Sequence, residues 1–597
     1  MRLTWADRSI VRIARLLQRI APWHRLPRWL GLVCLMGIRT ELRHQNLYDA
    51  APDDPGAPPP GAAGRHFGRN QPLWAVHAPT PERILEPNPR EVSSRLLARR
   101  GPMREVPFLN LLAAAWLQFM VHDWMSHGPG APGEEIRVPL ADDDDFAARS
   151  PGDEMLIRHS RPSAVAGDEG PPVFDNTETA WWDGSQVYGS SPEREALLRE
   201  GAGGRLRMGD DGLLPVEERK GVDLTGVNGN WWAGLSVMHT LFAREHNAVC
   251  EMLAARHPDW TDQRLFETAR RITAAVMAKI HTVEWTPALV PHPTVVAAMR
   301  ANWYGLLGPR GSRALRRFSR ADTLIGIPGS RCDDHGVPYS LTEEFVAVYR
   351  MHPLIPDDFR LVRAGTGEET GTRTMTEMAG AAARAVVEQH PPEDLIASFA
   401  VGRPGLLQLH NYPDTMRALP RSRTDAGGGA PRTIDLGAID VVRDRERGVP
   451  RYNDFRRMLR LPPAADFAAL TGDEAAAREL AEVYADVEDV DLMVGLYAET
   501  PPEGFGISET AFRIFVLMAS RRLKSAPAFT DDYRPEVYTA EGLAWIEEAT
   551  MSGVIARHHP ALAAMAGDVV NPFVPWDRAT NRRSGATAPF AAAPEAP

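Results

Sequence analysis

Cysteine is scarce and widely spaced in this sequence. Only Cys34, Cys250 and Cys332 occur among 597 residues. An odd number of distant cysteines provides neither a disulfide framework nor a thiolate metal site. We therefore expect a protein of a reducing compartment, located in the cytoplasm.

Excess positive charge is also absent. The formal net charge is −11 and the pI is near 5.9, whereas nucleic-acid-binding proteins usually carry a broad basic field. A nucleic-acid partner is therefore not expected. A hydrophobic content of 44% with 15 tryptophans indicates a globular protein with a packed interior.

Long hydrophobic runs are lacking as well. The apolar run from Trp29 to Ile38 is too short to span a bilayer, and it resembles no signal peptide of the usual form. The first 43 residues interleave arginines with large apolar side chains. This composition is typical of an interfacial helix pair on the inner face of an anionic membrane. It is equally typical of a helical arm packed on the body, and both interpretations remain open.

Helical periodicity dominates the rest of the sequence. Leu109, Leu112, Trp116 and Met120 recur every three or four residues, which is the spacing of one helix face. Alternating strand patterns are scarce, and no repeat of fixed period is found. We predict a mostly α fold with few short strands. It would comprise an N-terminal helical arm (1–50), one catalytic domain (51–580) and a disordered tail (581–597).

Two histidines carry the strongest chemical signal. Gln118 and His122 are four residues apart, and Tyr349 and His352 are three apart, so each pair is expected to share a helix face. One histidine could hold a haem iron while the other, beside an amide, acts on bound oxygen or peroxide. Pro353 restricts the backbone of His352 and places it near a helix end. A lone histidine on an apolar face is more often a hydrogen-bonded core residue.

The segment 343–357, with Tyr349 three residues before His352, resembles the proximal helix of the fatty-acid α-dioxygenases in the peroxidase–cyclooxygenase superfamily. The resemblance extends from about Trp23 to about Glu548 and implies a haem peroxidase-like helical domain. It implies one non-covalent haem b, with His352 as proximal ligand and His122 on the distal side. Tyr349 would form the catalytic radical, a residue that ordinary peroxidases of the superfamily lack.

A second block, 179–189, resembles the calcium loop of the same superfamily. The resemblance implies a Ca²⁺ held by Asp123, Thr179, the Trp181 carbonyl, Asp183 and Ser185. Ca²⁺ prefers several hard oxygen ligands, and this set supplies them. The alternative is an ordinary turn in which Asp and Ser cap the backbone.

Two further positions bear on the haem. Asp440 stands where peroxidases carry an asparagine that orients the proximal histidine, and an aspartate would accept the imidazole N–H more strongly. The position of the peroxidases' distal arginine falls near Asn228. Without that cation, peroxide heterolysis has less help with developing negative charge. We therefore expect weak general peroxidase activity and no ester links to the haem.

The substrate side is indicated by His281 and Thr286. In α-dioxygenases a histidine and a threonine at this spacing, with an arginine from a late helix, hold the fatty-acid carboxylate. We expect the helix to end near Thr286 because Pro287 follows, so that the two side chains converge. The arginine is either Arg521 or Arg522, since an arginine fork suits a carboxylate. Otherwise these residues are helix-end packing and surface charge.

The resemblance implies hydrogen abstraction from C2 of a fatty acid by a Tyr349 radical, followed by addition of O2 to give a 2-hydroperoxy fatty acid. One rival is a haem dioxygenase that attacks an internal carbon of an unsaturated chain. Others are a haem peroxidase using H2O2 and a non-catalytic module that binds haem or membrane. Acyl-chain preference and oligomeric state stay open.

Overall fold

Helices dominate the structure, a computed structural model that describes residues 5–146, 153–167, 170–421 and 432–576. The tail predicted at 581–597 lies outside the described residues. Eight of the described helices have eleven or more residues. They are α1 (Trp5–Ile20), α2 (Arg28–Gln45), α3 (Leu111–Val121), α4 (Ala233–Arg256), α5 (Asp262–Ile280), α6 (Pro293–Tyr304), α7 (Leu436–Glu446) and α8 (Glu509–Lys524).

Shorter helices connect this frame. Those of seven to ten residues are Pro192–Leu198, Gly308–Leu315, Ala382–Gln389, Pro392–Val401, Tyr452–Met458, Glu474–Val483, Leu492–Ala498, Ala540–Glu548 and Met551–His558. Those of four or five residues are Pro81–Leu85, Pro89–Val92, Ser185–Tyr188, Thr286–Leu289, Asp322–Ile325, Glu343–Ala347, Met375–Met378, Phe467–Thr471, Pro535–Tyr538 and Ala563–Gly567. The mostly α fold class is thereby confirmed.

Strands are few and short, as predicted. Within the described ranges they form four separate antiparallel pairs. The pairs are Glu135–Pro139 with Glu154–Arg158, Val216–Glu217 with Val222–Asp223, Asp358–Val362 with Glu369–Thr374, and Leu419–Arg421 with Arg432–Ile434. Each pair is a local hairpin or ribbon, so the sheets contribute little to the main core.

Helices α3 and α4 pass through the hydrophobic core. Helix α3 begins where the Asn110 side chain accepts a hydrogen bond from the backbone N–H of Ala113. Nearly all of its side chains are buried, which explains why it is apolar on every face rather than amphipathic. Trp116 of α3 packs against Phe242 of α4 with ring centres 5.3 Å apart. This pair of helices provides a rigid support for the residues at the end of α3.

The N-terminal arm is a pair of helices. Helix α2 buries Cys34, Ile38 and Leu42, and Gly37 allows α1 to approach, since a Cβ at Gly37 would lie 2.3 Å from that of Ala14. In contrast, α1 leaves Leu16 and other large apolar side chains exposed. Neither helix, nor any other in the described part of the chain, is long and apolar enough to cross a membrane. Helix α2 is therefore packed on the body of the protein, whereas the large apolar side chains on the outer face of α1 are exposed.

Candidate active site

The distal residues predicted from helical spacing lie at the end of α3. His122 follows the last residue of the helix, and its backbone N–H donates to the Gln118 carbonyl at 3.0 Å. The Gln118 amide is fixed on both sides: it donates to the Asn230 carbonyl at 3.1 Å and accepts from Trp232 Nε1 at 2.8 Å. One of its N–H groups is therefore already engaged, and only the other remains for a ligand.

A second buried histidine, which the sequence reasoning missed, holds His122. His239 Nε2 lies 3.2 Å from His122 Nε2, and His239 Nδ1 lies 2.8 Å from the Thr225 hydroxyl. That hydroxyl also contacts the Gln186 carbonyl at 3.1 Å, which accepts only. The hydroxyl therefore accepts from His239 Nδ1–H, and His239 Nε2 accepts from His122 Nε2–H. His122 Nδ1 is buried and makes no side-chain hydrogen bond in the described residues, and the Gly229 backbone near the ring favours the protonated imidazole.

Burial keeps the distal imidazole uncharged. It lowers the pKa of His122 to about 4 because the charged form would lose its hydration. The pKa of His239 is also held well below its ordinary value, first by burial and then by the neighbouring His122. A neutral pair of imidazoles with one free lone pair is suited to accept a proton from a bound peroxide or to polarise it.

The proximal segment differs from the predicted helix. The helix Glu343–Ala347 ends before Tyr349, and His352 begins a single 3-10 turn, His352–Leu354, after Met351 has left helical angles. The expectation that Tyr349 and His352 share one regular helix face is therefore wrong. The break lies between Ala347 and His352, whereas a proline restricts only the residue directly before it, so Pro353 does not account for it. His352 does lie at a helix end, as expected, because it begins the 3-10 turn.

Asp440 of α7 meets the proximal histidine. Its Oδ2 lies 2.8 Å from His352 Nδ1 and accepts from the Tyr412 hydroxyl at 3.0 Å, while Oδ1 accepts from Arg350 at 2.7 Å. Burial alone would raise the pKa of Asp440, but the nearby His352 and Arg350 hold it below its usual value. Asp440 thus stays an anion, and His352 Nε2 has no hydrogen-bond partner among the described residues.

Tyr349 lies in an aromatic cage. Its ring makes edge contacts with Trp124 at 5.6 Å and with Phe345 and Phe515 at 5.1 Å each between ring centres. Burial raises the pKa of the phenol above its ordinary value, so the group stays protonated. No hydrogen bond to the hydroxyl is found in the described part of the chain, which leaves the O–H free for a reacting partner.

A mainly apolar cavity approaches this cage. Phe515, which touches Tyr349, lines its inner part together with Trp182, His281 and Thr286. Helices α2, α6 and α8 contribute apolar side chains such as Leu35, Met299 and Val516 to the rest of the wall, which also includes the charged residues Arg39 and Asp322. Leu306 also lines the cavity and is half exposed, so the cavity reaches the surface there.

His281 and Thr286 both line this cavity, although they are five residues apart. We expected the helix to end near Thr286. Instead it continues through a π-helical stretch, His281–Trp285, into the short helix Thr286–Leu289. A π turn pairs residues i and i+5, which brings positions 281 and 286 onto one face. The Thr286 hydroxyl donates to the His281 carbonyl at 2.8 Å. The spacing is therefore explained by the π turn and not by a helix end.

The tautomer of His281 is fixed by Trp116. Trp116 Nε1–H donates to His281 Nδ1 at 3.3 Å, so the imidazole proton is on Nε2. Burial, followed by the charge of Arg522, lowers the pKa of His281 to about 3. His281 is therefore a neutral N–H donor in the cavity wall.

The two candidate arginines differ in position. Arg521 donates to the carbonyls of Asp334 and Val337 and lies over the Tyr339 ring. Arg522 is fully buried behind Trp182, with its guanidinium carbon 4.7 Å from that ring centre and 3.5 Å from that of Trp124. Its Nη1 has no hydrogen-bond partner in the described residues. Of the two, Arg522 is the one whose charge acts on His281 and Tyr349.

The calcium loop predicted at residues 179–189 lies against Asp123. Asp123 Oδ2 accepts from the Ser185 hydroxyl and from the Gln186 N–H at 2.9 Å, whereas Oδ1 is buried and unpaired in the described residues. Burial, and then the charge of Asp183, raise the pKa of Asp123 to about 7. A buried carboxylate with one free oxygen near a second carboxylate fits an absent cation.

The remaining oxygens of the loop are already partly used. The Thr179 hydroxyl donates to the Gly61 carbonyl at 3.3 Å, and the Trp181 carbonyl accepts from Arg522 at 3.1 Å. A carbonyl has two lone pairs, so the second bond does not prevent coordination. In the described ranges no group of three or more His, Cys, Asp or Glu side chains is placed to hold a metal. A cation here would depend on hydroxyl and carbonyl oxygens.

Asn228, near which the sequence predicts the position of the peroxidases' distal arginine, is hydrogen-bonded to a neighbouring hairpin. It donates to Glu217 at 2.9 Å and to the Asp223 carbonyl at 3.1 Å, and it accepts from Lys220 at 2.8 Å. These bonds use both amide N–H groups. Asn228 therefore contributes to the loop that carries Asn230 rather than to the distal pocket itself.

Comparison with known proteins agrees with this fold. The family model described as animal haem peroxidase matches residues 47–570. This is nearly the whole described body and includes both histidines, Tyr349 and α7. The chain therefore belongs to the animal haem peroxidase family.

Individual relatives show to which group within the family the chain belongs. The chain is 37% identical to alpha-dioxygenase 2 of Arabidopsis thaliana over 98% of this chain and 95% of that one. It is 38% identical to alpha-dioxygenase PIOX of rice over 93% of each chain. A crystal structure of a tyrosine-to-phenylalanine variant of rice fatty acid alpha-dioxygenase with palmitic acid matches with a TM-score of 0.87 at 36% identity, covering 96% of this chain and 98% of that one. Within the animal haem peroxidases, the chain belongs with the α-dioxygenases.

Proposed function

We propose that this protein is a haem-dependent fatty-acid α-dioxygenase. A Tyr349 radical would take a hydrogen atom from C2 of a bound fatty acid, and O2 would add to the carbon radical to give a 2-hydroperoxy fatty acid. The main support for this proposal is the contact between Tyr349 and Phe515, a residue that lines the apolar cavity. That contact would allow an acyl chain to present its carboxyl end beside the phenol.

The carboxylate is assigned to the inner end of this cavity. The π turn brings His281 Nε2–H and the Thr286 hydroxyl together there. The imidazole N–H can donate to a carboxylate directly, whereas the Thr286 O–H would have to turn away from the His281 carbonyl to do so. Arg522 supplies positive charge from behind Trp182, and Arg521 is not assigned a role in binding. Fixing the carboxylate would hold C2 near the Tyr349 hydroxyl, and orientation of this kind supplies several kcal/mol of a barrier.

His352 and His122 are the histidines that would hold a haem and serve it. His352 offers an unpaired Nε2 and is anchored by the anionic Asp440, while His122 offers a neutral imidazole. When bound and activated by a peroxide, the haem would supply the oxidising power that converts Tyr349 to its radical. The chain's own part is to hold His352, to keep His122 uncharged, and to keep the Tyr349 hydroxyl free of competing bonds.

The loop around Asp123 is proposed to hold Ca²⁺ through Asp123, Thr179, the Trp181 carbonyl, Asp183 and Ser185. The unpaired Asp123 Oδ1 supports this proposal, and the ion would fix the end of α3 that carries His122. Removal of Ca²⁺ with a chelator should lower the melting temperature, and returning Ca²⁺ but not Mg²⁺ should restore it. An unchanged melting temperature, with no calcium in the purified protein, would leave the loop as an ordinary turn.

The deciding experiment uses the full chain loaded with haem, palmitate and O2. Mass spectrometry should locate the new oxygen at C2, and the product should include the aldehyde shortened by one carbon after CO2 loss. A saturated acid separates the candidates, since attack at an internal carbon needs a double bond. Oxygenation only of unsaturated acids would favour the internal-carbon dioxygenase. Oxidation of phenols by H2O2 without lipid oxygenation would favour a peroxidase.

The outer face of the N-terminal arm is proposed to lie on the cytoplasmic surface of an anionic membrane. Nine of the fourteen exposed large apolar side chains in the described residues lie in two segments, 5–29 and 306–324: Trp5, Ile13, Leu16, Ile20, Trp29, Leu306, Leu307, Phe318 and Leu324. On α1, arginines three or four residues apart lie beside the apolar stripe, which is the arrangement of an interfacial helix. Leu306 also lines the cavity, so lipid would lie at its mouth.

Vesicle sedimentation tests this contact. Vesicles containing phosphatidylserine should bind the protein more tightly than neutral ones. The double variant Leu16→Asp, Ile20→Asp should weaken binding by about tenfold or more, since two apolar side chains lose their burial. Trp74→Asp is the matched control, because Trp74 is exposed but lies outside both segments. Equal binding by all three proteins would reject the membrane surface.

A further inference from the structure

Arg522 has an unusual position that carboxylate binding does not explain. Its guanidinium lies over two indole rings at once, 3.5 Å from the Trp124 ring centre and 4.7 Å from that of Trp182. It is held there by hydrogen bonds to the Ala180 carbonyl at 2.6 and 3.0 Å and to the Trp181 carbonyl. The cation is therefore fixed against the aromatic groups that surround Tyr349.

Trp124 and Trp182 are the indoles that a radical on Tyr349 could oxidise. Trp124 contacts the Tyr349 ring directly, at 5.6 Å between centres, and Trp182 contacts Trp124 at 5.0 Å. In a competing step, the Tyr349 phenoxyl radical would take one electron from an indole and one proton from water, which leaves the indole with a positive charge. Tyrosine would return to the phenol, and the indole would be left one electron short. The hydrogen-abstracting group would then be lost before substrate is attacked.

We infer that Arg522 confines the radical to Tyr349 by making the oxidation of Trp124 and Trp182 unfavourable. This inference rests on the proposed Tyr349 radical and adds a second role for Arg522. An oxidised indole carries positive charge, and a fixed guanidinium in a buried site repels that charge strongly because little water screens it. The cation attracts the electron-rich neutral ring and opposes its oxidised form.

A second observation points the same way. Trp182 Nε1 is buried and has no hydrogen-bond acceptor among the described residues. An oxidised indole normally relieves its charge by releasing the N–H proton, and Trp182 has no group to receive it. Trp116 and Trp285, in contrast, donate to His281 Nδ1 and to the Ala113 carbonyl, but neither contacts Tyr349. Trp182, which adjoins Trp124, thus lacks relief for a positive charge.

The test is rapid freeze-quench electron paramagnetic resonance of the haem-loaded full chain after mixing with H2O2 and no fatty acid. Ring-deuterated tyrosine should narrow the wild-type signal, and indole-deuterated tryptophan should leave it unchanged. In Arg522→Gln the dependence should reverse, so that only the tryptophan label changes the spectrum. Arg522→Lys should retain the tyrosine signal because it keeps the charge, and Arg521→Gln should retain it because that arginine does not contact the indoles.

Further variants make the result decisive. Adding Trp124→Phe and Trp182→Phe to Arg522→Gln should return the signal to tyrosine. If the glutamine variant fails to load haem, Arg522→Met provides a neutral side chain of similar length. A tyrosine-only signal in the neutral variants would overturn the inference, as would a tryptophan signal in Arg522→Lys. Absence of any protein radical in the wild type would instead count against the proposed function.

Discussion

The distal and proximal sides of the candidate site place their histidines in opposite electrostatic settings. His122 is bonded to a neutral partner, His239, and burial lowers its pKa to about 4. His352 is bonded to Asp440, an anion that Arg350 and Tyr412 hold in place. One imidazole is uncharged and keeps a lone pair, and the other is oriented by an anion. The difference matches the two tasks that a haem enzyme divides between its faces.

The two sides also differ in how they are supported. His122 follows a long, buried helix that is packed on α4, so its position depends on hydrophobic packing. Tyr349 and His352 lie in a short irregular segment after a five-residue helix, so their position depends on the ion pairs of Arg350 with Asp440 and Asp444. Substitutions on the distal side should therefore act on chemistry alone. Those on the proximal side should also change the electronic properties of the haem.

The largest effect is expected at Tyr349. Tyr349→Phe should reduce O2 uptake with palmitate to background, because no phenol remains beside the cavity. The Soret band and melting temperature should be unchanged, since the hydroxyl has no hydrogen bond to lose. Tyr412→Phe is the control: it removes a hydroxyl that contacts Asp440 and leaves Tyr349 in place. Full O2 uptake by Tyr349→Phe would restore the peroxidase or non-catalytic interpretation.

The distal side is tested next. His122→Ala should slow activation by peroxide by about 100- to 10,000-fold, the usual range for loss of a general base. Stopped-flow measurement of the radical after mixing with H2O2 would show this. The haem reduction potential should change little, because His122 is not the ligand proposed for the iron. A large change in the haem reduction potential with normal activation would indicate that His122, and not His352, binds the iron.

On the proximal side, a substitution should change the haem reduction potential. Asp440→Asn should raise the haem reduction potential and lower activity by about 10- to 100-fold, the usual cost of losing the partner of a metal-ligating histidine. Asp444→Asn is the matched control, since Asp444 also bonds Arg350 but does not contact His352. An unshifted potential in Asp440→Asn would remove the proposed role of this carboxylate.

The parts of this site that sequence could predict are those carried by regular geometry. The face shared by Gln118 and His122 followed from helical spacing, and α3 confirms it. Tyr349 and His352 were identified by resemblance, but their expected helix is broken at Ala347. The π turn at His281 was not predictable, because a π turn differs from an α-helix by one inserted residue and leaves no clear signal in side-chain periodicity.

Other features depend on contacts between distant parts of the chain. Adjacent arginines on a helix point in different directions, about 100° apart, so spacing alone could not choose between Arg521 and Arg522. Trp124 and Trp182, which surround Arg522, come from two separate loops. His239 lies 117 residues from His122, a separation that helical spacing cannot relate. A search for histidines on the face of α4 that meets α3 would have found it once the two helices were paired.

The smallest effect is expected at His239, which touches His122 but not the cavity. His239→Phe would remove the acceptor of His122 Nε2–H, so the imidazole would no longer be held in one tautomer. Activation by peroxide should slow by about tenfold, as expected for loss of one orienting hydrogen bond. His239→Gln, which retains an acceptor, should recover much of the rate. If both variants slow activation equally, His239 supports α4 packing and does not orient the distal base.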